Sequence, residues 1–504
     1  MSNITIIGAG LTGLCLSIIL KKKGYDVTVV EKNTFPGGVF ASSIKKKYLF
    51  HSGLEFYFPH IWLTNFFKEI DENINDYIEF DTITNKFNVF LGETKPLEPY
   101  DKMNFNNDYQ DFVKKIIYLE GDINNLNNLF ETINKIKDEF NSFFIEKHDP
   151  AQLERFLLRN KITGSLKDLL SQYFRNSNTL AFFDAFGLFY GDSSNYLPAY
   201  YIFILVDMLQ NPMYRPQKGF ADIAEKLYLI GLKSGVKYWF GQEVESVKIE
   251  DSKIKSIRIK DNESLLLQVE LNKENKFEIP YQENILSCEI LIHTGDYENF
   301  EENILINQEH RTYDQKFWKK VDSTPSYCTF LIGLKDEIPQ LQKHCFITGH
   351  DPKGNQLNMD SSLYFVSTSS KDNVLPTLKI ISYQPCGVIL KENDNDKLLL
   401  NCINRINKLL KIDLNTNIVS YTTLDPEDLK DQFLYSKKSP FGIRHNLKNP
   451  TKFLAEDNKK ITNLFYATNS NYPAGNGLLS IIRAKSLASS SRFPKIEKKI
   501  ESII

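Results

Sequence analysis

The first forty residues alternate between short apolar runs and glycine-rich breaks. A β-branched apolar run at residues 4–7 predicts a buried strand, and apolar residues at helical spacing follow the glycine turn at 8–13. That helical stretch closes with three lysines and Gly24, the usual pattern of a helix C-terminus. A second β-branched run at 27–30 predicts another strand. The segment therefore predicts a strand–turn–helix–strand unit.

Each glycine of this turn has a different structural role. Gly8 allows a tight turn, Gly10 lets the backbone approach a pyrophosphate, and Gly13 lets the helix pack closely on the sheet. The helix N-terminus then faces the phosphates with its partial positive charge. Glu31 follows the second strand and is placed to accept hydrogen bonds from a ribose diol. The unit predicts a dinucleotide site; the alternative is a tight turn that binds nothing.

Further along, a polar region gives way to an apolar one. Residues 71–148 are rich in Asn, Lys and Glu with apolar side chains at helical spacing, which predicts amphipathic helices and polar loops. Residues 153–209 have dense apolar helical spacing and many aromatic side chains, which predicts a buried helical lobe. Strands are predicted at 237–240, 254–259, 265–269, 285–296, 325–334, 363–366 and 378–383, and an amphipathic helix at 397–410.

Composition narrows the function. The chain has 504 residues with 42% hydrophobic and 25% charged residues, typical of a globular protein of two or three lobes. A net charge of −2 gives no broad field for nucleic acid. Six scattered cysteines without a Cys-x-x-Cys pair and the lack of a signal peptide favour a reducing cytoplasm. No apolar run approaches a spanning helix and the eight histidines lack metal-ligand spacing, so we expect no metal, with peripheral membrane contact left open.

A glycine pair just past the acid decides which dinucleotide is expected. Gly37 and Gly38 make this stretch resemble the flavoproteins of the amine-oxidase and phytoene-desaturase superfamily. In that family the paired glycines pass along the FAD pyrophosphate, where no Cβ would fit. The family usually has Arg or Lys next, whereas this chain has Val39, so one phosphate contact is missing or supplied from elsewhere. The resemblance implies FAD rather than NAD.

Two later segments extend the resemblance. Phe50 and Gly53 partly match a segment that runs past the flavin ring in desaturases, and His51 stands where an Asp is usual. His51 is therefore a candidate proton donor, the alternative being a histidine hydrogen-bonded at a strand end. A turn that is Pro-x-Gly-Gly in the relatives has Lys218 in place of its first glycine. The resemblance also implies that the segment at 243–247 holds the adenine through the backbone of Val244.

The C-terminal region resembles the family's final strand, loop and helix, whose N-terminus points at the flavin. The resemblance implies Asn469 and Gly477 as cofactor-binding residues. Thr468 and Asn469 replace the usual Gly-Asp or Gly-Ala, and Tyr472 begins a Tyr-Pro-Ala run where His-Pro-Gly is common. Tyr472 is the second candidate catalytic residue because this run lies beside the expected flavin face.

The resemblance implies an α/β fold with a Rossmann-like FAD-binding domain, a mixed α+β substrate domain and a helical lobe. Phe189, Tyr190 and Tyr200 are candidate cavity-lining residues of that lobe. His293 and Asp296 close a predicted buried strand, where a structural role is favoured over acid handling. The expected divisions are FAD-binding segments at 1–70, 215–300 and 440–504, a largely helical substrate lobe with the Asn/Lys-rich insertion at 71–214, and a substrate-domain sheet at 301–439.

These patterns favour an FAD-dependent oxidoreductase that moves a hydride between a C–C bond of an apolar, unsaturated small molecule and flavin N5. One dinucleotide fingerprint is visible, so the expected electron acceptor is external, either oxygen or a quinone. Three alternatives stay open: a saturase, isomerase or cyclase of the same family, a prenyl-binding protein without flavin, and an amine oxidase. The intact glycine and acid set argues against the prenyl-binding alternative.

Overall fold

A computed structural model of the chain describes residues 2–45, 47–51, 60–83, 85–91, 102–106, 109–187, 190–261, 285–341, 344–350, 357–368, 375–384, 386, 394–448, 450–473, 475, 477 and 479–490. The strands are β1 (Asn3–Ile7), β2 (Asp26–Glu31), β3 (Ser42–Lys45), β4 (Tyr48–His51), β5 (Phe80–Ile83), β6 (Asn85–Leu91), β7 (Lys102–Asn106), β8 (Met213–Pro216), β9 (Lys237–Phe240), β10 (Gln242–Glu250), β11 (Lys253–Asp261), β12 (Ile285–Ser287), β13 (Ile290–His293), β14 (Ser326–Leu334), β15 (His344–His350), β16 (Leu357–Thr368), β17 (Thr377–Gln384), β18 (Ile418–Leu424) and β19 (Leu464–Tyr466). The helices are α1 (Leu11–Lys22), α2 (His60–Glu69), α3 (Tyr109–Glu120), α4 (Asn124–Asn141), α5 (Pro150–Arg159), α6 (Leu166–Leu170), α7 (Ser177–Gly187), α8 (Tyr201–Gln210), α9 (Phe220–Lys233), α10 (Tyr297–Asn299), α11 (Gln315–Lys320), α12 (Asp394–Leu410), α13 (Pro426–Phe433) and α14 (Leu479–Ser489).

A five-stranded parallel sheet, in the order β19-β13-β1-β2-β9, joins parts of the chain that are far apart in sequence. Its central strands are apolar and buried, as expected for a sheet covered on both faces. Helix α1 is buried along most of its length because it packs between this sheet, α9 and α14. The carboxyl ends of all five strands therefore lie along one edge of the sheet.

A second, seven-stranded sheet has the order β18-β14-β17-β16-β15-β6-β7. Its pairings are antiparallel except for β15 with β6, which is parallel. The apolar side of α12 belongs to the same hydrophobic core as β14, β16 and β17. Helix α7 contacts β6 and β15, so the helical region packs directly against this sheet.

The Asn-rich region differs from its prediction. We predicted helices and polar loops for residues 71–148, but β5, β6 and β7 lie within it and β6 joins the larger sheet. The period-two pattern of Phe87, Val89 and Leu91 is short and set among asparagines and lysines, so helical spacing downstream outweighed it. Strand β7 is the sheet edge, where polar side chains are well tolerated.

The single strand predicted at 285–296 is divided in the structure: β12 pairs with β11 in a three-stranded sheet, and β13 alone joins the parallel sheet. The other strand and helix predictions agree with the structure wherever it describes them. The strand predicted at 265–269 lies outside the described residues. Across the part of the chain that the structure describes, every helix is too short or too polar to span a bilayer.

Candidate dinucleotide-binding site

An open cleft lies at the carboxyl edge of the parallel sheet. This is the edge at which α/β sheets bind ligands. Residues from the ends of β1, β2, β13 and β19 meet there with the N-terminal parts of α1 and α14. The sequence-predicted residues among those lining the cleft are Gly8, Gly10, Glu31, Gly37, Gly38, Val244 and Asn469.

The glycine turn between β1 and α1 forms the floor of the cleft. Gly8 has a φ of +105°, and its N–H donates to the carbonyl of Val30 at 2.8 Å. A Cβ on Gly13 would lie 2.0 Å from the carbonyl oxygen of Gly8, so only glycine lets α1 start this close to β1. A Cβ on Gly10, in contrast, would meet nothing within 4 Å and would project into open space. The turn thus packs tightly on its inner side and is open on its outer side.

The N-terminus of α1 is exposed to this open space. Gly10 is its N-cap and offers no side chain, and the first turn of the helix carries no acidic residue. The first N–H groups of a helix have no intrahelical acceptor, so they are available to an anion here.

The paired glycines pass directly over the turn. Gly37 has a φ of +116° and its N–H donates to the carbonyl of Ala9 at 2.8 Å. A Cβ on Gly38 would lie 3.4 Å from the Cα of Gly10. The two glycine segments, predicted separately from sequence, therefore meet backbone to backbone at one end of the cleft.

Glu31 lies at the tip of β2 and is buried. Its carboxylate accepts hydrogen bonds from the backbone N–H of Ala9 at 2.7 Å and from the backbone N–H and side-chain amide of Asn33 at 2.9 and 2.8 Å. Burial is the main cause that raises the pKa of this carboxyl above its usual value, and these hydrogen bonds oppose the rise. The acid is held rigidly beside the glycine turn, with a side chain that lines the cleft.

His293 closes β13 beside the cleft. Its Nε2 donates to the carbonyl of Asp296 at 2.9 Å, and its ring stacks on Phe300 with centroids 4.5 Å apart. Burial lowers the pKa of His293 to about 4, so it is neutral near pH 7. Asp296 caps the following helical turn through the N–H of Asn299. These contacts agree with the structural role favoured from sequence.

The C-terminal segment forms the remaining wall. Asn469 donates from its amide to the carbonyl of Pro440 at 2.9 Å and lines the cleft. Gly477 precedes α14 with open space around it, but it is not among the lining residues. Arg483 of α14 also lines the cleft, and the sequence analysis missed it because a single arginine in an apolar helix gives no motif.

The structure places one of the two candidate catalytic residues, Tyr472, and leaves the side chain of the other, His51, undescribed. His51 ends β4 and pairs with Ser42, while its side chain, Gly53 and Phe189 are outside the described residues. Tyr472 is buried and does not line the cleft. Its hydroxyl has no hydrogen-bond partner among the described residues.

Tyr472 belongs to a buried group of rings that we call the aromatic cluster. Its ring contacts Phe144 at 5.9 Å and Phe453 at 5.3 Å between centroids. The members of the cluster are Phe140, Phe144, Phe156, Tyr200, Tyr201, Phe203, His445, Phe453 and Tyr472. The hydroxyl of Tyr201 lies 3.2 Å from Nε2 of His445, a partly buried polar pair that the sequence did not reveal. The cluster joins α4, α5 and α8 to the C-terminal loop.

The family model described as flavin containing amine oxidoreductase matches residues 11–269, just over half of the chain. The chain belongs to this family. It is an FAD-dependent oxidoreductase, and the α/β fold with a Rossmann-like FAD-binding domain is confirmed.

Among its relatives, a 4,4'-diapophytoene desaturase (4,4'-diaponeurosporene-forming) of Staphylococcus haemolyticus is 21% identical, with 98% of this chain and 99% of the relative covered. A 1-hydroxycarotenoid 3,4-desaturase of a Flavobacterium species is 23% identical, with 96% and 98% covered. A solved oxidoreductase of Methanosarcina mazei superposes with a TM-score of 0.60 at 15% identity, covering 97% of this chain and 100% of that one, which shows a shared fold.

The cleft fits the FAD that the family carries. A dinucleotide needs room for its pyrophosphate, donors for its phosphate oxygens and an acceptor for its ribose. The cleft has open space beside Gly10, free N–H donors at the start of α1, a buried acid at the tip of β2 and a buried cation at Arg483. Within the described residues no group of three or more His, Cys, Asp and Glu side chains is arranged to hold a metal ion.

Proposed function

We propose that this flavoprotein is a desaturase that removes hydrogen from a C–C bond of an apolar isoprenoid chain. The observation that carries the proposal is the match to two desaturases of carotenoid-type substrates, which extends over nearly the whole of both chains in each case. Because the match includes the substrate-side sheet and the helical lobe as well as the cofactor domain, it supports the substrate class in addition to FAD use.

We assign the cofactor roles as follows. The turn of Gly8, Gly10 and Gly13, with Gly37 and Gly38 above it, shapes the path of the pyrophosphate. Glu31 accepts from the adenosine ribose, and the backbone of Val244 faces the adenine. We assign Asn469 and Gly477 to the flavin end. The same role is proposed for Gly53, which lies outside the described residues. Bound FAD supplies the hydride acceptor at flavin N5.

We place the substrate against the aromatic cluster. The cluster is apolar, reaches from the helical lobe to the C-terminal loop, and is contiguous with the Pro473 and Gly475 carbonyls that Arg483 contacts. Burial raises the pKa of Tyr472, so this phenol keeps its proton at neutral pH and does not serve as a base. We propose His51, at the end of β4, as the proton-handling residue.

An anaerobic reduction experiment tests the proposed function. The purified holoprotein should show flavin absorption near ~450 nm, and added 4,4'-diapophytoene in detergent micelles should bleach it while a product with more conjugated double bonds forms. Primary amines such as putrescine should leave the absorption unchanged. Bleaching by amines but not by the isoprenoid would overturn the substrate class and establish an amine oxidase.

The same bleached sample identifies the electron acceptor. We propose an external acceptor, so admission of oxygen or addition of a soluble quinone should restore the absorption. A protein that is re-oxidised by neither, yet turns over with NADP⁺, would contradict this part of the proposal.

A further inference from the structure

Arg483 is the feature of the cleft that the family resemblance does not explain. It lies in the second turn of α14 and is 2% exposed, yet it lines the dinucleotide cleft. Its guanidinium donates from Nη2 to the carbonyl oxygens of Pro473, at 2.7 Å, and Gly475, and from Nη1 to the hydroxyl of Thr12 at 3.3 Å. All three acceptors are neutral.

The described part of the chain gives this guanidinium no ion pair. The carboxylate of Glu456 acts on it electrostatically without pairing with it, and its Nε–H is buried without an acceptor. Burial lowers the pKa of Arg483 to about 9, so the side chain is still a cation near pH 7. A buried cation without a counter-ion is costly, and buried charges are normally paired with an opposite charge.

The position of Arg483 indicates where its counter-ion belongs. Thr12 is the second residue of α1, so the guanidinium lies at the uncapped N-terminus of that helix, where the backbone N–H groups are also unpaired. The other cation lining the cleft, Lys32, is adjacent to Glu31 and donates to the carbonyl of Asp431 at 2.7 Å. Among the described lining residues, Arg483 is thus the cation at the glycine turn.

Val39 makes such a cation necessary. It occupies the position after the paired glycines at which the family usually supplies Arg or Lys to a phosphate, and it lines this same cleft. Because Val39 is apolar, the two negative charges of a pyrophosphate would be stabilised only by the N–H donors of the helix unless another cation contributes.

We propose that Arg483, reaching across from the last helix, is the counter-ion of the FAD pyrophosphate in this protein and takes over the phosphate contact that Val39 cannot make. The guanidinium and the N-terminus of α1 would hold the pyrophosphate from two sides, with charge-assisted hydrogen bonds. This assignment concerns cofactor binding and holds whichever apolar substrate the enzyme oxidises.

Ligand titrations of the apoprotein test the assignment. FAD, ADP and riboflavin are titrated into wild type and Arg483→Met, because ADP carries the pyrophosphate without the ring and riboflavin the ring without phosphates. Loss of a charged hydrogen-bond partner should weaken FAD and ADP alike, by about 10- to 100-fold, and riboflavin by less than about threefold. Arg483→Lys, which keeps the charge, should recover part of the ADP affinity.

A matched control is Lys485→Met. Lys485 lies on the same helix but pairs with Glu69 at 2.6 Å, away from the cleft, so ADP affinity should not change. Two results would overturn the proposal. One is unchanged ADP affinity in Arg483→Met together with an altered affinity for riboflavin or a shifted flavin reduction potential, which would place the guanidinium at the ring. The other is loss of folding in both Arg483→Met and Arg483→Gln, which would make the arginine a structural tie for the 473–475 loop.

Discussion

The glycine turn of the dinucleotide cleft is backbone without side chains, whereas the aromatic cluster is packed with large side chains. Around the glycine turn, the wall of the cleft is the backbone of Gly8, Gly10, Gly37 and Gly38, beside the uncapped N-terminus of α1. In the aromatic cluster, Phe140 stacks on Phe203 with ring centroids 4.0 Å apart. The two regions should therefore respond to mutation in opposite ways: the cleft through cofactor affinity, the cluster through stability and turnover.

The substitution with the largest expected effect on stability is Gly13→Ala. The new Cβ would lie 2.0 Å from the carbonyl oxygen of Gly8, a backbone atom that cannot move without opening the turn. We expect the free energy of unfolding to fall by more than about 4 kcal/mol, measured by urea denaturation, with no FAD retained on purification.

Gly10→Ala is the matched control for that prediction. Its Cβ meets nothing within 4 Å, so the apoprotein should unfold within about 1 kcal/mol of wild type, while FAD binds at least about tenfold more weakly because the methyl group enters the ligand space. Wild-type FAD affinity in Gly10→Ala would show that the cofactor does not approach this turn.

The largest effect expected in the aromatic cluster is that of Phe140→Ala. Phe140 is buried and stacks on Phe144 and Phe203, so truncation should leave a cavity and lower the free energy of unfolding by about 3 to 4 kcal/mol. FAD affinity of the folded protein should stay within about threefold of wild type, since the residue does not line the cleft.

Leu158→Ala on α5 is the control for this second case. Leu158 is 61% exposed, and its truncation should change the free energy of unfolding by less than about 0.5 kcal/mol. If Phe140→Ala were as mild as Leu158→Ala, the cluster would be loosely packed and the contrast with the cleft would fail.

Between these extremes lies His293, a cleft residue whose effect depends on pH. The pKa of His293 is about 4 in the folded protein, below the usual value near ~6.5. Between pH 6.5 and pH 4, roughly, the unfolded chain therefore binds a proton at this histidine that the folded protein does not bind. The free energy of unfolding consequently decreases as the pH falls through this range. Between pH 7 and 4.5 wild type should lose about 2 kcal/mol more than His293→Phe, which keeps the ring stacked on Phe300. Parallel stability curves for the two proteins would contradict the buried neutral histidine.

The same contrast explains what the sequence could predict. Gly8, Gly10, Gly13 and Glu31 fall within one short stretch, and their spacing alone specifies strand, turn, helix and acid. The role of the paired glycines could be predicted because they resemble a glycine pair that the family carries just past the acid. These features are local in sequence, and the structure brings them together as the spacing predicts.

Arg483, His445 and the strands of the Asn-rich region could not be found in that way. Arg483 contacts Thr12, 471 residues away, and Tyr201 meets His445 across 244 residues, so no local pattern marks either contact. Strand β6 is specified by its pairing with β15 rather than by its own composition. Such contacts form only when distant parts of the chain fold together, so they could not be predicted from local sequence patterns.

Tyr472→Phe gives the smallest change in stability and the sharpest test of the cluster's role. The hydroxyl is buried without a partner among the described residues, so removing it should raise the free energy of unfolding of the apoprotein by about 1 kcal/mol or leave it unchanged. The apolar substrate proposed above offers this hydroxyl no acceptor, so a catalytic contact of Tyr472 would be to a water or to a polar atom of the flavin beside the reacting bond. If Tyr472 has this role, the rate of flavin reduction by substrate should fall at least about tenfold in Tyr472→Phe, with FAD affinity within about threefold of wild type, in stopped-flow measurements. Phe144→Leu, which alters the same ring contact but keeps the hydroxyl, should slow the reaction far less. Equal rates in wild type and Tyr472→Phe would assign Tyr472 to packing alone and leave the aromatic cluster without a polar contribution to catalysis.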